Sequence, residues 1–114
     1  TKEMITEEQI NKIKQQIIIN SQPEKIILFG SCAHGSPNET SDLDLLIVVK
    51  DSLLNRIERT RELRKHLWGI INAPKDILVY TITEINRRKD IPQSFIHNVL
   101  KNGKTIYDRK NKPD

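Results

Sequence analysis

The sequence predicts an α/β (α+β) fold, a mixed β-sheet of about four strands flanked by helices. Three observations lead there. Short apolar runs bounded by turn residues, Lys25-Ile26-Ile27-Leu28-Phe29 and Asp76-Ile77-Leu78-Val79-Tyr80 among them, read as buried strands. The segment from Asp42 to Val49 turns apolar on both faces after its first residues, the pattern of a central strand covered on two sides. Between these runs, isoleucine and leucine recur at helical spacing. Strands separated by helices build a sheet with helical cover.

The elements follow in order. Thr6-Glu7-Glu8-Gln9 reads as a capping box that opens a first helix, which Ile10, Ile13 and Ile17 carry to about Asn20. Pro23 separates that helix from the strand 25–29, which Gly30 closes. Ser31 to Ser36 forms a small-residue turn with room for one short helix, and Pro37-Asn38-Glu39-Thr40 a polar loop. After the strand 42–49, Asp51 or Ser52 is expected to cap a helix through Leu53, Leu54, Ile57, Leu63 and Leu67. Its exposed face would carry Arg56, Arg59, Arg61, Arg64 and Lys65. Pro74 ends the region and Asp76 opens the third strand. Thr83 is expected to cap a short helix from Glu84 to Arg88, and Pro92 to sit in the first turn of another that Gly103 terminates. Thr105-Ile106-Tyr107 adds an edge strand before a charged tail expected to fray.

A length of 114 residues is one domain's worth, so residues 1–114 are expected to form a single domain with no second substrate-binding unit. Hydrophobic residues at 36% and charged residues at 30% place the chain with soluble globular proteins. No apolar run reaches the length of a membrane span, and the N-terminus shows no secretory pattern. Cys32 stands alone, which excludes an internal disulfide and fits a reducing cytoplasm. The formal charge of +4 attracts polyanions only modestly. Phe29, Trp68, Tyr80, Phe95 and Tyr107 are the only aromatic residues, so direct, specific nucleic-acid binding is not expected.

The chemistry lies in Gly30-Ser31-Cys32-Ala33-His34-Gly35 and, after a loop, Ser41-Asp42-Leu43-Asp44-Leu45. Residues two apart on a strand project to one face, so Asp42 and Asp44 should stand side by side. Paired carboxylates at the head of an apolar strand repel one another and resist burial, and a divalent cation resolves both problems. Oxygen-only ligation favours magnesium or manganese over zinc. An acidic pair in a solvated turn is the plainer alternative. Beside the pair, Gly30 follows a strand directly and lets a phosphate approach the backbone, to which Ser31 can donate its hydroxyl. No lysine follows Gly35, so this is not a Walker loop, and the glycine spacing is not the dinucleotide fingerprint.

Gly30-Ser31, Gly35 and Ser41-Asp42-Leu43-Asp44-Leu45 together resemble the GS…G…SDxDL signature of the DNA polymerase β-like nucleotidyltransferase superfamily. The short length is similar to its minimal nucleotidyltransferase branch. The resemblance implies a third carboxylate on a neighbouring strand, where Asp76 matches in position; an ordinary surface aspartate at a strand start is the other reading. It further implies two magnesium ions, with manganese as a substitute, held by Asp42, Asp44 and Asp76, the last also activating the acceptor hydroxyl. Gly30, Ser31 and Ser41 would bind the nucleotide, with ATP as substrate and pyrophosphate as leaving group. The chain departs from many relatives at His34, where they carry arginine or lysine.

Minimal nucleotidyltransferases are commonly the antitoxins of HEPN/MNT toxin–antitoxin pairs, so the resemblance implies a HEPN-domain toxin as partner and the transfer of AMP to one of its tyrosines. Two other readings compete. One is a non-catalytic subunit that neutralises or completes its partner by contact alone, and the other an enzyme acting on a small molecule or RNA through a separate subunit. The basic helix reads either as a solvated face, with Glu58 and Glu62 interspersed, or as a docking surface for an acidic partner or RNA. His66 and His97 fall on expected helices away from the motif, and no chemistry is assigned to them.

Overall fold

The computed structural model describes residues 7–30, 43–70 and 76–111. Along the chain these form α1 (Glu7–Ser21), β1 (Lys25–Phe29), β2 (Asp44–Val49), α2 (Arg56–Leu67), β3 (Asp76–Thr81), α3 (Ile82–Arg88), α4 (Phe95–Asn102) and β4 (Lys104–Asp108), with a final 3-10 turn at Arg109–Asn111. The strands join in the order β3-β2-β1-β4. β1 is antiparallel to both β2 and β4, whereas β2 and β3 are parallel. The mixed four-stranded sheet and the edge position of the 105–107 strand are therefore as the sequence predicts. No helix among the described residues is long and apolar enough to cross a membrane.

Strand periodicity divides the core into two layers. Leu45, Ile47 and Val49 of β2, with Ile26, Leu28, Ile77 and Val79 from its neighbours, pack on Ile13 and Ile17 of α1 and Leu63 and Leu67 of α2. The alternate residues Leu46 and Val48, with Ile27 and Tyr80, pack on Ile85 of α3 and Ile96 and Val99 of α4. Every residue of β2 except Asp44 is buried. At about 1.5–3 kcal/mol per fully buried aliphatic side chain, that central strand is the best anchored element of the sheet. Gly103 closes α4 as expected, donating its N–H to the Val99 carbonyl at 2.7 Å. A Cβ there would stand 2.7 Å from Ile27 Cγ2 and 2.5 Å from the Val99 oxygen, so only glycine fits between α4 and β1.

The helix starts differ from expectation, each for a local reason. Asn55, not Asp51 or Ser52, caps α2: its side chain accepts from the Glu58 N–H at 2.9 Å while the Glu58 carboxylate accepts from the Asn55 N–H at 3.2 Å. Ser52 instead accepts from the N–H of Leu54 at 3.1 Å. The helix therefore starts after Leu53 and Leu54, and Leu53 and Ile57 lie exposed rather than in the core. Thr81, not Thr83, caps α3 through a second reciprocal box with Glu84. α4 starts at Phe95, capped by Ser94, which accepts from the His97 N–H at 3.1 Å, so Pro92 precedes the helix and does not sit in its first turn. In each case the reciprocal or hydroxyl acceptor satisfies an otherwise orphaned amide. The expected cap at Thr6 lies outside the described residues, as does Pro74.

Arg59 also departs from expectation. Its side chain is only 9% exposed and reaches inward instead of lining the solvent face of α2. It donates to Glu84 Oε1 at 2.6 Å, to the Val79 carbonyl at 3.0 Å and to the Leu54 carbonyl at 2.8 Å. Glu84 Oε1 accepts in addition from the Thr81 N–H at 2.8 Å. The Arg59 hydrogen bond, against the opposing cost of burial, holds the Glu84 carboxyl at about 2 instead of its ordinary 4.5. One ion pair thus ties α2, the end of β3 and the start of α3.

Because the folded-state value is depressed, this stabilisation is complete above the unfolded pKa and is lost as pH falls from about 4.5 towards about 2. Glu84→Gln is expected to cost about 1–3 kcal/mol at neutral pH and to flatten the fall in stability across that acid window, measured by urea denaturation at a series of pH values.

Candidate functional site

At one end of the sheet three chain segments converge. β1 leaves the sheet at Phe29, β2 enters it at Asp44 and β3 enters it at Asp76. The register pairs Phe29 with Asp44 and Asp44 with Asp76. Directly opposed residues on neighbouring strands project to the same face, about 4.8 Å apart at the backbone. Asp44 and Asp76 therefore stand side by side, on the face shared with Leu46, Val48, Leu78 and Tyr80. The expected pairing of a carboxylate on β2 with one on β3 is what the ladder produces.

Gly30 completes the corner. Its φ of 74° lies in the left-handed region that glycine enters without penalty. A Cβ on it would collide with Asp44 Oδ2 and lie 3.4 Å from Asp44 Cγ. The bare backbone of Gly30 is thus pressed against the carboxylate, where any side chain would displace one or the other. Asp44 is half-buried, and Gly30 and Asp76 are exposed, so the corner opens to solvent on both sides of Asp44.

Of the six residues singled out for the site, the described structure brings together Gly30, Asp44 and Asp76. Ser31, Ser41 and Asp42 lie outside the described residues, together with Cys32 and His34. His66 on α2 and His97 on α4 sit away from the corner; the His97 ring nitrogen Nδ1 bonds with the Lys89 carbonyl at 2.8 Å.

The structure adds a feature that strand and helix patterns do not reveal. Phe29 flanks Asp44 on the side opposite Asp76, and its ring meets Phe95 edge-on, with centroids 5.4 Å apart and planes at 83°. Phe95 opens α4 and remains 46% exposed. The only sequence hint of this aromatic wall was a phenylalanine immediately before Gly30.

Residues 11–112 match the family model Polymerase beta, Nucleotidyltransferase. The chain belongs to this nucleotidyltransferase family. Two relatives from Methanocaldococcus jannaschii, both provisionally named protein adenylyltransferases, are 31% and 33% identical. The first alignment covers 94% of this chain and 72% of the relative, the second 92% and 97%. A crystal structure of a provisionally named nucleotidyltransferase from Sulfolobus solfataricus superposes with a TM-score of 0.63 at 23% identity, over 91% of this chain and 81% of the other, and shares the fold.

Nucleotidyltransferases of this family take a nucleoside triphosphate and a divalent metal ion, and the donor set here fits such an ion. Asp44 and Asp76 offer only hard carboxylate oxygens, on adjacent strands and facing one way. Among the described residues no group of three histidine, cysteine or acidic side chains is gathered. A divalent ion bound by this pair would neutralise charge on phosphate oxygens.

Gly30→Ala forces a Cβ into the Asp44 carboxylate and strains the backbone. It is expected to lower nucleotidyl transfer by at least about 100-fold while costing about 1–3 kcal/mol of stability. Parallel measurement of turnover and thermal unfolding checks the split.

Proposed function

We propose that the chain is a magnesium-dependent protein adenylyltransferase that moves AMP from ATP to a tyrosine of a HEPN-domain toxin and thereby acts as its antitoxin. The observation that carries the enzymatic part is the Asp44–Asp76 pair, set in register beside the left-handed Gly30. The names of the two relatives support protein as the acceptor class. The partner and the tyrosine come from the resemblance to minimal nucleotidyltransferases.

In this reading the Gly30 backbone and the Ser31 and Ser41 side chains receive the triphosphate, and Asp42 joins Asp44 and Asp76 in holding two magnesium ions. The acceptor oxygen forms a bond to the α-phosphorus as the bond from that phosphorus to the β-bridging oxygen breaks. Pyrophosphate leaves and the hydroxyl proton passes to Asp76. Asp76 suits this role because it is exposed and lies beyond Asp44 when viewed from Gly30. In-line displacement requires the entering oxygen to approach from the side opposite the leaving pyrophosphate.

The test is intact-mass spectrometry of a HEPN-domain protein co-expressed or mixed with this chain, after incubation with ATP and magnesium. Additions equal to one or more AMP units are expected, with none from the Asp42→Asn, Asp44→Asn double variant. Neutralisation of the toxin by that double variant, with no mass added by the unaltered chain, would point instead to an antitoxin acting by contact alone.

A further inference from the structure

Between α2 and the outer edge of β3 runs an open groove of about 540 Å³. Leu78 and Tyr80 line it from β3, and Ile57, Thr60, Arg61 and Arg64 from α2, with Arg56 at one end. Its direction follows from the contacts. Arg56 lies over the Tyr80 ring at 4.9 Å and donates to its hydroxyl at 2.5 Å, and Thr60 donates to the Ile77 carbonyl at 3.3 Å. α2 therefore runs antiparallel to β3, and Arg64, one turn beyond Thr60, lies towards the Asp76 end. Leu78 and Tyr80 follow Asp76 at alternate positions and share its face of the sheet. The strand that floors the groove begins at Asp76, one residue before the first of its lining residues, Ile77.

We propose that this groove is the acceptor site: it holds an extended, acidic protein segment whose hydroxyl-bearing residue reaches Asp76. The proposal rests on the adenylyltransferase reading and adds the chemistry of the segment. Three features identify the occupant. Arg56, Arg61 and Arg64 face it from α2, which suits carboxylates within a few residues of the acceptor. From Arg56 to Arg64 the helix rises about 12 Å, the length of three to four extended residues. Ile57 is 71% exposed at the rim and, with Leu78, offers apolar contact to side chains between the acidic positions.

The same features disfavour RNA. Tyr80 is the aromatic residue of the groove, and it is buried beneath Arg56 with no free face for a base. The mode of binding also follows. The outward carbonyls of Ile77 and Val79 already accept from Thr60 and Arg59, so the segment is gripped by side chains and does not extend the sheet.

The test uses fluorescein-labelled peptides with a central tyrosine, one flanked by glutamates and one by lysines, and an oligoadenylate of similar charge to the acidic peptide. Anisotropy is read with the unaltered chain and with Arg61→Glu, Arg64→Glu. The acidic peptide is expected to bind at least about 10-fold more tightly than the lysine peptide and the RNA. The double variant should reverse the order of the two peptides, a gain that an unfolded protein cannot show. Arg87→Glu, Lys101→Glu, an equal charge change on the exposed surfaces of α3 and α4, should leave the order unchanged. Equal binding of both peptides, preference for the RNA, or the same reversal by the α3–α4 variant would overturn the proposal. Incubating the bound acidic peptide with ATP and magnesium separates the two readings: binding without added AMP leaves the groove standing and counts against the transfer reaction.

Discussion

The parallel register between β2 and β3 sets Asp44 opposite Asp76, and the proposed chemistry depends on that alignment. A shift of one residue would turn one carboxylate to the other face of the sheet and carry the apolar set of its strand away from the core. The register is correspondingly well protected. Leu45, Ile47 and Val49 are locked into one layer and Leu46 and Val48 into the other, so β2 cannot slide without emptying both. The price of placing like charges together is borne by hydrophobic packing a few ångströms away. Gly30 adds the second constraint, because its backbone occupies the space that any other residue would need for a side chain.

The β3 edge of the sheet depends on α2. Arg59 and Thr60 satisfy carbonyls on the outer side of β3, and the Arg59–Glu84 ion pair links that helix to the turn where β3 becomes α3. Half-buried, doubly hydrogen-bonded ion pairs of this kind fix geometry more than they add stability. Here the geometry they fix is the position of the helix that carries Arg56, Arg61 and Arg64 along the strand headed by Asp76. The placement of a structural arginine among exposed ones explains how one basic helix both holds the edge and lines the groove beside it with positive charge.

Much of this was legible in the sequence, and the parts that were not share a cause. Strands 25–29 and 76–80 were marked by apolar runs with sharp ends, and Gly103 by its place after the last apolar residue of α4. The place of Asp76 on the strand beside Asp44 came from the resemblance to the nucleotidyltransferase signature, which implies a third carboxylate on a neighbouring strand, and not from the residues around it. The cap positions did not follow: Asp51, Ser52 and Asn55 are all competent caps, and only the reach of Glu58 back to Asn55 decides among them. Arg59 was indistinguishable from its neighbours by charge or spacing, since what buries it is Glu84, twenty-five residues away. Likewise Phe95 gained its place beside Phe29 from the packing of α4 on β1, a contact no local pattern encodes.

The central claim, that two carboxylates brought together by strand register hold a divalent ion, is tested most directly by titrating manganese into the chain and following the free ion by electron paramagnetic resonance. Bound manganese is expected in the unaltered protein, and a loss of affinity of at least about 10-fold in Asp44→Asn and in Asp76→Asn alike, with folding intact by circular dichroism. Unchanged manganese affinity in folded Asp44→Asn would contradict the claim.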